Sequence, residues 1–278
     1  MDQRHRSSEP KDNRKSSDNY EKENINFHIL SPQPQRKGLL PRVQRMRDRE
    51  KKTLILDLDE TLVHSSFDKW KWDIELPITM DNQNHIVYVK IRPRAIDFLR
   101  KITKYYEVAI FTASVANYAD PLIEKLDTNN YGFYKLFRED WTYNGNYIKD
   151  ISRLGRDLKD CIIVDNLAKS YANQPENGIP ILSWYDDPRD KELDLMFPLL
   201  IMLSKVKDVR KYVKRMVRKD KISYGIVNSL FANKPEFKEI LKKISAIRNC
   251  KKSPNKSIKN NKENQPIVAN EQAKSSKK

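Results

Sequence analysis

The sequence predicts an α/β fold around a mainly parallel sheet, and three observations carry that expectation. Short apolar runs recur at Leu54 to Leu56, Val108 to Phe111 and Ile162 to Val164, separated by stretches with helical periodicity. Strands that alternate with helices need crossover connections and therefore pair in parallel. Each run also stops at a polar residue, namely Asp57, Thr112 and Asp165. In folds of this kind ligands bind beyond the carboxyl ends of the strands, so these three residues are expected to meet at one edge.

Taken in order, residues 1–49 are polar and without sustained period, which predicts a disordered N-terminal tail. A catalytic domain is expected over 50–216, opening with Leu54-Ile55-Leu56 as a buried strand. Residues 72–92 have the pattern of a β-hairpin that turns at Asp81 to Asn84. Pro93 suits the first turn of a helix, after which Ile96, Leu99 and Ile102 share a face. Val108 to Phe111 is the second strand, followed by a helix over 115–126 that Pro121 is expected to kink. Ile162 to Val164 and Ile179 to Leu182 are further strands, and 191–203 a helix. Residues 217–278 are read as a basic tail, partly helical and then disordered, with helices near 206–216 and 236–247.

Charge is unevenly distributed. Residues 205–278 carry 22 Lys/Arg against 6 Asp/Glu, which equals the net charge of +16 of the whole chain, so the remainder is neutral in sum. The apolar run Leu195 to Leu203 falls short of the ~20 residues of a membrane helix, so no membrane association is expected. No secretory signal is visible, and two cysteines give no disulfide framework, both consistent with an intracellular protein. Residue spacing also excludes several chemistries. A cysteine phosphatase needs Arg six residues after Cys, but Cys161 meets Leu167 and Cys250 meets Lys256. Four scattered histidines are a poor supply for a binuclear metal centre, and no G-x-x-x-x-G-K loop is present.

The chemistry concentrates in Asp57-Leu58-Asp59-Glu60-Thr61. Carboxylates two residues apart on a strand point to one face, where one can act as nucleophile or metal ligand and the other as general acid and then base. Attack of a carboxylate on a phosphate dianion meets repulsion of roughly 4 kcal/mol per charge pair at 4 Å and an effective dielectric near 20. Cations are therefore needed, a hard divalent ion and a lysine being suited to the task.

The segment Leu56 to Phe67 resembles the first motif of the small C-terminal-domain phosphatases of the haloacid dehalogenase superfamily, enzymes that act on phosphoserine in the tail of RNA polymerase II. The resemblance continues through Lys90-Ile91-Arg92-Pro93, Phe111-Thr112-Ala113-Ser114, Tyr118-Ala119-Asp120-Pro121, Leu136-Phe137-Arg138-Glu139, Gly145 to Asp150, Ser152 to Leu158 and Val164-Asp165-Asn166. It covers roughly residues 50–212 in order. It implies a haloacid dehalogenase-like sheet with a β-hairpin insert, and a phospho-aspartyl intermediate on Asp57 with Asp59 as the acid and base. Thr112 would hydrogen-bond the phosphate, Lys149 would neutralise it, and Asp165 would support the site. Mg²⁺ would be held by Asp57, the Asp59 carbonyl and Asn166. A pocket for a substrate proline would comprise Phe67, Ile78, Met80, Val87 and Val115, with Tyr118 and Arg138 at its rim. Leu167-Ala168 departs from the family's usual Ser-Pro after Asp165-Asn166.

The partner so implied is a Ser-Pro-containing phosphoprotein such as the RNA polymerase II tail. The alternatives are a related phosphatase acting on another phosphoprotein, and a non-catalytic interaction protein whose basic tail binds nucleic acid, which is not favoured. The lysines from Lys251 onward suit nuclear import, with the cytoplasm as a second location. Ser31-Pro32 and Ser253-Pro254 suit proline-directed phosphorylation, and Lys22-Glu23-Asn24 and Lys262-Glu263-Asn264 resemble KEN-type degradation signals.

Overall fold

The structure is a computed structural model in which the described residues are 38–252 without 70, 81 and 144–146. The phosphorylation and KEN-type motifs lie outside them, as does the tail from 253 onward. In chain order the first elements are β1 Lys52–Leu56, β2 Val63–Ser66, β3 Ile74–Met80, β4 Gln83–Ile91, α1 Ala95–Ile102, β5 Tyr106–Phe111, α2 Ala116–Leu126 and β6 Tyr134–Leu136. There follow β7 Thr142–Tyr143, β8 Tyr147–Ile148, β9 Cys161–Asp165, β10 Gly178–Pro180, α3 Glu192–Ser204, α4 Arg210–Met216, β11 Val217–Arg218, β12 Lys221–Ile222, α5 Tyr224–Phe231 and α6 Lys238–Lys252.

The central sheet is parallel throughout, in the order β10-β9-β1-β5-β6. Every residue of β1, β5 and β9 is buried, because neighbouring segments cover both faces of the sheet. Side chains alternate between the faces. Leu54, Leu56, Val108, Ile110, Ile162 and Val164 join the larger core with α1, α2 and α3, while Ile55, Ala109, Phe111 and Ile163 face a smaller one. Leu40, Ile151 and Leu154 cover the smaller core, so packing on the sheet begins within the expected N-terminal tail. Register aligns the strand ends. Leu56 pairs with both Ile110 and Val164, which sets Asp57 level with Phe111 and Asp165.

The insert is a three-stranded antiparallel sheet in the order β2-β4-β3 rather than a two-stranded hairpin. β2, with sequence Val-His-Ser-Ser, has no apolar alternation to announce it and exists by pairing with β4. β10 begins one residue before the expected strand and ends at Pro180, where the chain leaves the sheet toward the site. Ile181 N–H still donates to Asp165 O (3.2 Å).

The domain boundary expected at residue 216 needs correction. Val227, Phe231, Phe237 and Ile244 are buried in the same core as the sheet, with α6 packed on α3. The cause is legible in α3 itself, whose sequence Glu-Leu-Asp-Leu-Met-Phe-Pro-Leu-Leu-Ile-Met-Leu-Ser is apolar nearly all round. Such a helix must be covered on both sides.

Arg92 ties the site-bearing loops together from behind. Its guanidinium is fully buried and bidentate to Asp190 (2.9 and 3.0 Å), and it also donates to Thr61 O (3.0 Å) and Leu182 O (2.9 Å). Removing one partner of such a pair typically costs about 3–5 kcal/mol. Arg92→Ala is therefore expected to lower the thermal midpoint by about 6–20 °C in a domain of this size. A midpoint within about 2 °C of wild type, by calorimetry, would show the clasp to be redundant.

Candidate active site

Asp57 and Asp59 lie just past β1, in the turn that leads to β2. The strand ends at Leu56, so the loop rather than strand geometry brings the two carboxylates together. Leu58 between them is fully buried in the larger core, which anchors the turn. Glu60 takes a left-handed backbone (φ 56°), and its carbonyl accepts from Trp184 N–H (2.8 Å).

Asp57 is buried and held at both oxygens. Thr61 Oγ1 donates to Oδ2 (2.8 Å) and Lys149 Nζ to Oδ1 (2.5 Å). Lys149, which follows β8, also reaches Asp165 Oδ2 (2.7 Å), while Leu167 N–H occupies Asp165 Oδ1 (2.7 Å). Burial pushes the Asp57 carboxyl up to about 7 against the pull of Lys149, with Asp165 and Asp59 adding to the rise. Burial alone would draw the Lys149 ammonium down, but Asp165 and Asp57 hold it above its ordinary value. The causes differ: burial dominates at Asp57, whereas the two bonded carboxylates raise Lys149; with Asp59 nearby, three carboxylates against one ammonium leave surplus negative charge.

Asp59 accepts three hydroxyl bonds. Thr112 Oγ1 (3.1 Å) and Ser114 Oγ (2.9 Å) donate to Oδ2, and Tyr118 OH (2.8 Å) to Oδ1. Thr112 is fixed by its own N–H to Leu136 O (3.0 Å), by Ser114 N–H to its Oγ1 (2.9 Å) and by Trp141 Nε1–H to its carbonyl (2.8 Å). The Trp141 ring also faces Lys149 Nζ at 5.5 Å. Asn166 donates its amide to Ser183 Oγ (3.0 Å), a bond that uses the nitrogen and leaves the oxygen for a cation. Among the described residues no group of three or more His, Cys, Asp or Glu forms a metal cluster. The set that fits a metal is instead mixed, with the Asp57 carboxylate, the Asp59 carbonyl and the Asn166 amide oxygen. These are hard oxygen donors beside surplus negative charge, which suits a hard divalent cation.

The expected catalytic residues Asp57, Asp59, Thr112, Lys149 and Asp165 thus converge on one edge, with Asn166 next in the chain to Asp165. The expected proline pocket is placed differently. Ile78 and Val87 are buried in the larger core, because these inward positions of β3 and β4 pack there with residues of α2. Phe67 is the accessible member, with Met80 and Val115 half-buried. Tyr118 is not at a rim, since its ring is 1% exposed and its hydroxyl serves Asp59. Arg138 donates to Ala113 O (2.5 Å), bracing the loop that carries Thr112. His64 faces Glu60 (3.2 Å), as suits a structural histidine. Thr61, Ser114 and Trp141 were not singled out from sequence. The first two lie within the motifs, at four residues after Asp57 and two after Thr112, so their spacing was a usable signal. Trp141 had none.

The profile of the NLI interacting factor-like phosphatase family matches residues 52–210, and the chain belongs to that family. The human "CTD small phosphatase-like protein" is 44% identical over 68% of this chain and 68% of its own length. A Dictyostelium discoideum relative named "Probable C-terminal domain small phosphatase" is 55% identical over 57% of this chain and 53% of its own, and the Drosophila melanogaster "Phosphatase Herzog" is 48% identical over 63% and 50%. The chain spans about half the length of these last two. Among solved structures, Fcp1, titled an essential RNA polymerase II CTD phosphatase, aligns at TM-score 0.44 and 20% identity over 74% of this chain and 56% of that one. No helix among the described residues is long and apolar enough to cross a membrane.

Proposed function

We propose that the chain is a Mg²⁺-dependent protein serine/threonine phosphatase that works through an aspartyl-phosphate on Asp57. The observation that carries this reading is the pairing of a buried, lysine-bound Asp57 with a separately held Asp59 at one strand edge. In the first step an Asp57 oxygen bonds to phosphorus as the P–O bond to the serine breaks, and Asp59 passes its proton to the departing serine oxygen. In the second, a water oxygen attacks the same phosphorus, its proton goes to Asp59, and the bond to Asp57 breaks to release inorganic phosphate. Lys149 has three N–H donors. Two serve Asp57 and Asp165, and the third suits a phosphate oxygen. The buried Thr112 hydroxyl, at the same strand edge, can turn from Asp59 to the phosphate. Mg²⁺ held by Asp57, the Asp59 carbonyl and Asn166 would offset the negative charge that gathers on the phosphate.

The substrate class is a phosphoserine followed by proline, with the accessible Phe67 as the apolar contact for that proline, and a Ser-Pro-rich tail such as that of RNA polymerase II is one example. Nuclear residence through the basic tail accords with such a substrate. The test measures phosphate release from Ser-Pro and non-proline phosphopeptides, with Mg²⁺ and after exhaustive chelation, for wild type and Phe67→Ala. Turnover that stops on chelation, returns with Mg²⁺, and favours Ser-Pro peptides only while Phe67 is present is the expected result. Full activity without metal sinks the cofactor assignment, and equal rates on all peptides sink the substrate assignment.

A further inference from the structure

We infer that Tyr118, held in turn by Ser65, is the positioning residue for the acid–base carboxylate of Asp59, an inference that rests on the phosphatase reading above. The two oxygens of Asp59 have different surroundings. Oδ2 receives the hydroxyls of Thr112 and Ser114 (3.1 and 2.9 Å), which stand on the strand-end loop where a phosphate would sit. Oδ1 receives the Tyr118 hydroxyl (2.8 Å), from a ring buried to 1% exposure. When Thr112 turns to a bound phosphate, Oδ2 keeps only the Ser114 bond and becomes the working oxygen, while Oδ1 stays clamped by Tyr118.

The hydroxyl chain has a defined direction in the state where Asp59 is ionised. A phenol has one proton, and here it is spent on the carboxylate. The Ser65 hydroxyl, 2.5 Å from the Tyr118 oxygen, must then be the donor to it. The clamp therefore spans three elements: β2 carries Ser65, α2 carries Tyr118, and the loop after β1 carries Asp59. α2 is itself placed by the loop from Thr112, with Tyr118 N–H and Ala119 N–H both bonded to Val115 O (3.2 and 3.0 Å). A purely packing role needs only the ring, which phenylalanine supplies equally. The hydroxyl is the part that the packing does not explain.

Misplacing a catalytic group by about 1 Å can cost on the order of 10²-fold in rate. Tyr118→Phe should therefore lower kcat on a phosphoserine peptide by about 10–100-fold, with KM changed less than about threefold. The same variant should release p-nitrophenol from p-nitrophenyl phosphate in its first turnover within about threefold of wild type, because that leaving group needs no proton. Ser65→Ala should show the same contrast at smaller size, and it carries the test should Tyr118→Phe lack a cooperative thermal transition. Equal losses on both substrates, a loss confined to KM, or no loss in kcat overturns the inference. A wild-type protein inactive on every phosphoserine peptide with Mg²⁺ overturns the phosphatase reading itself. An active wild type with an unaffected Tyr118→Phe overturns only the role of Tyr118.

Discussion

Asp57→Asn is expected to abolish turnover, and Asp59→Asn to leave a measurable trace. An amide at residue 57 supplies neither an attacking oxygen nor a negative ligand for a metal. It also removes half of the charge that balances Lys149, which is bound to both Asp57 and Asp165. Asp59→Asn keeps the backbone carbonyl and can keep the hydroxyl bonds at its remaining oxygen, so metal and substrate binding should persist. What it loses is proton delivery to the serine oxygen and proton removal from water. General acid–base catalysis is typically worth ~10²–10⁴-fold, and the rate should fall by that order. An aryl phosphate needs less protonation on departure and should suffer less in the first step. It should then accumulate the phosphorylated enzyme, visible as a mass increase after rapid acid quench. Near-normal rates for Asp57→Asn would remove the aspartate-nucleophile assignment.

Truncation after Met216 is expected to destroy or severely weaken the fold, whereas truncation after Lys252 should not. The first cut removes Val227, Phe231, Phe237 and Ile244 from the larger core and uncovers α3. Four such side chains represent roughly 6–12 kcal/mol of gross apolar burial at about 1.5–3 kcal/mol each. The ordering entropy of the lost segment offsets part of this. Even a net loss of about 3 kcal/mol is a large part of a domain stability of about 5–15 kcal/mol, and corresponds to roughly 6–12 °C in midpoint. Calorimetry on the two truncated proteins decides the matter. An unchanged midpoint for the shorter one would restore the boundary at 216 that the sequence suggests.

That boundary shows how sequence patterning goes astray here. Residues 217–252 are rich in lysine, and that charge masks an apolar pattern at helical spacing, Ile226, Val227, Leu230 and Phe231 and then Ile240, Leu241, Ile244 and Ile247, which was a usable signal. They need only supply a covering layer, so four buried side chains suffice. α5 was missed for the same reason, and β2 because its pairing with β4 is non-local. β1, β5 and β9 were legible because each is a short apolar run buried on both faces, which no neighbour has to explain.

The sequence by itself determined the sheet's inner strands and the polar residues at their carboxyl ends, and it named Asp57, Asp59, Thr112, Lys149, Asp165 and Asn166 as the candidate site. The strands and their polar ends follow from local apolar runs, and the remaining site residues from the family resemblance carried by short motifs. Tertiary structure alone decided which groups hold that set in place. Tyr118 reaches Asp59 across 59 positions, Trp141 reaches Thr112 across 29, and Arg92 reaches Asp190 across 98. It also decided that Ile78 and Val87 are core and Phe67 is accessible, since which face of the insert is covered depends on what packs against it. The physical reason is range. Backbone propensity and side-chain alternation act over a few residues, whereas hydrogen bonds and burial depend on whatever the completed chain brings within about 3–4 Å.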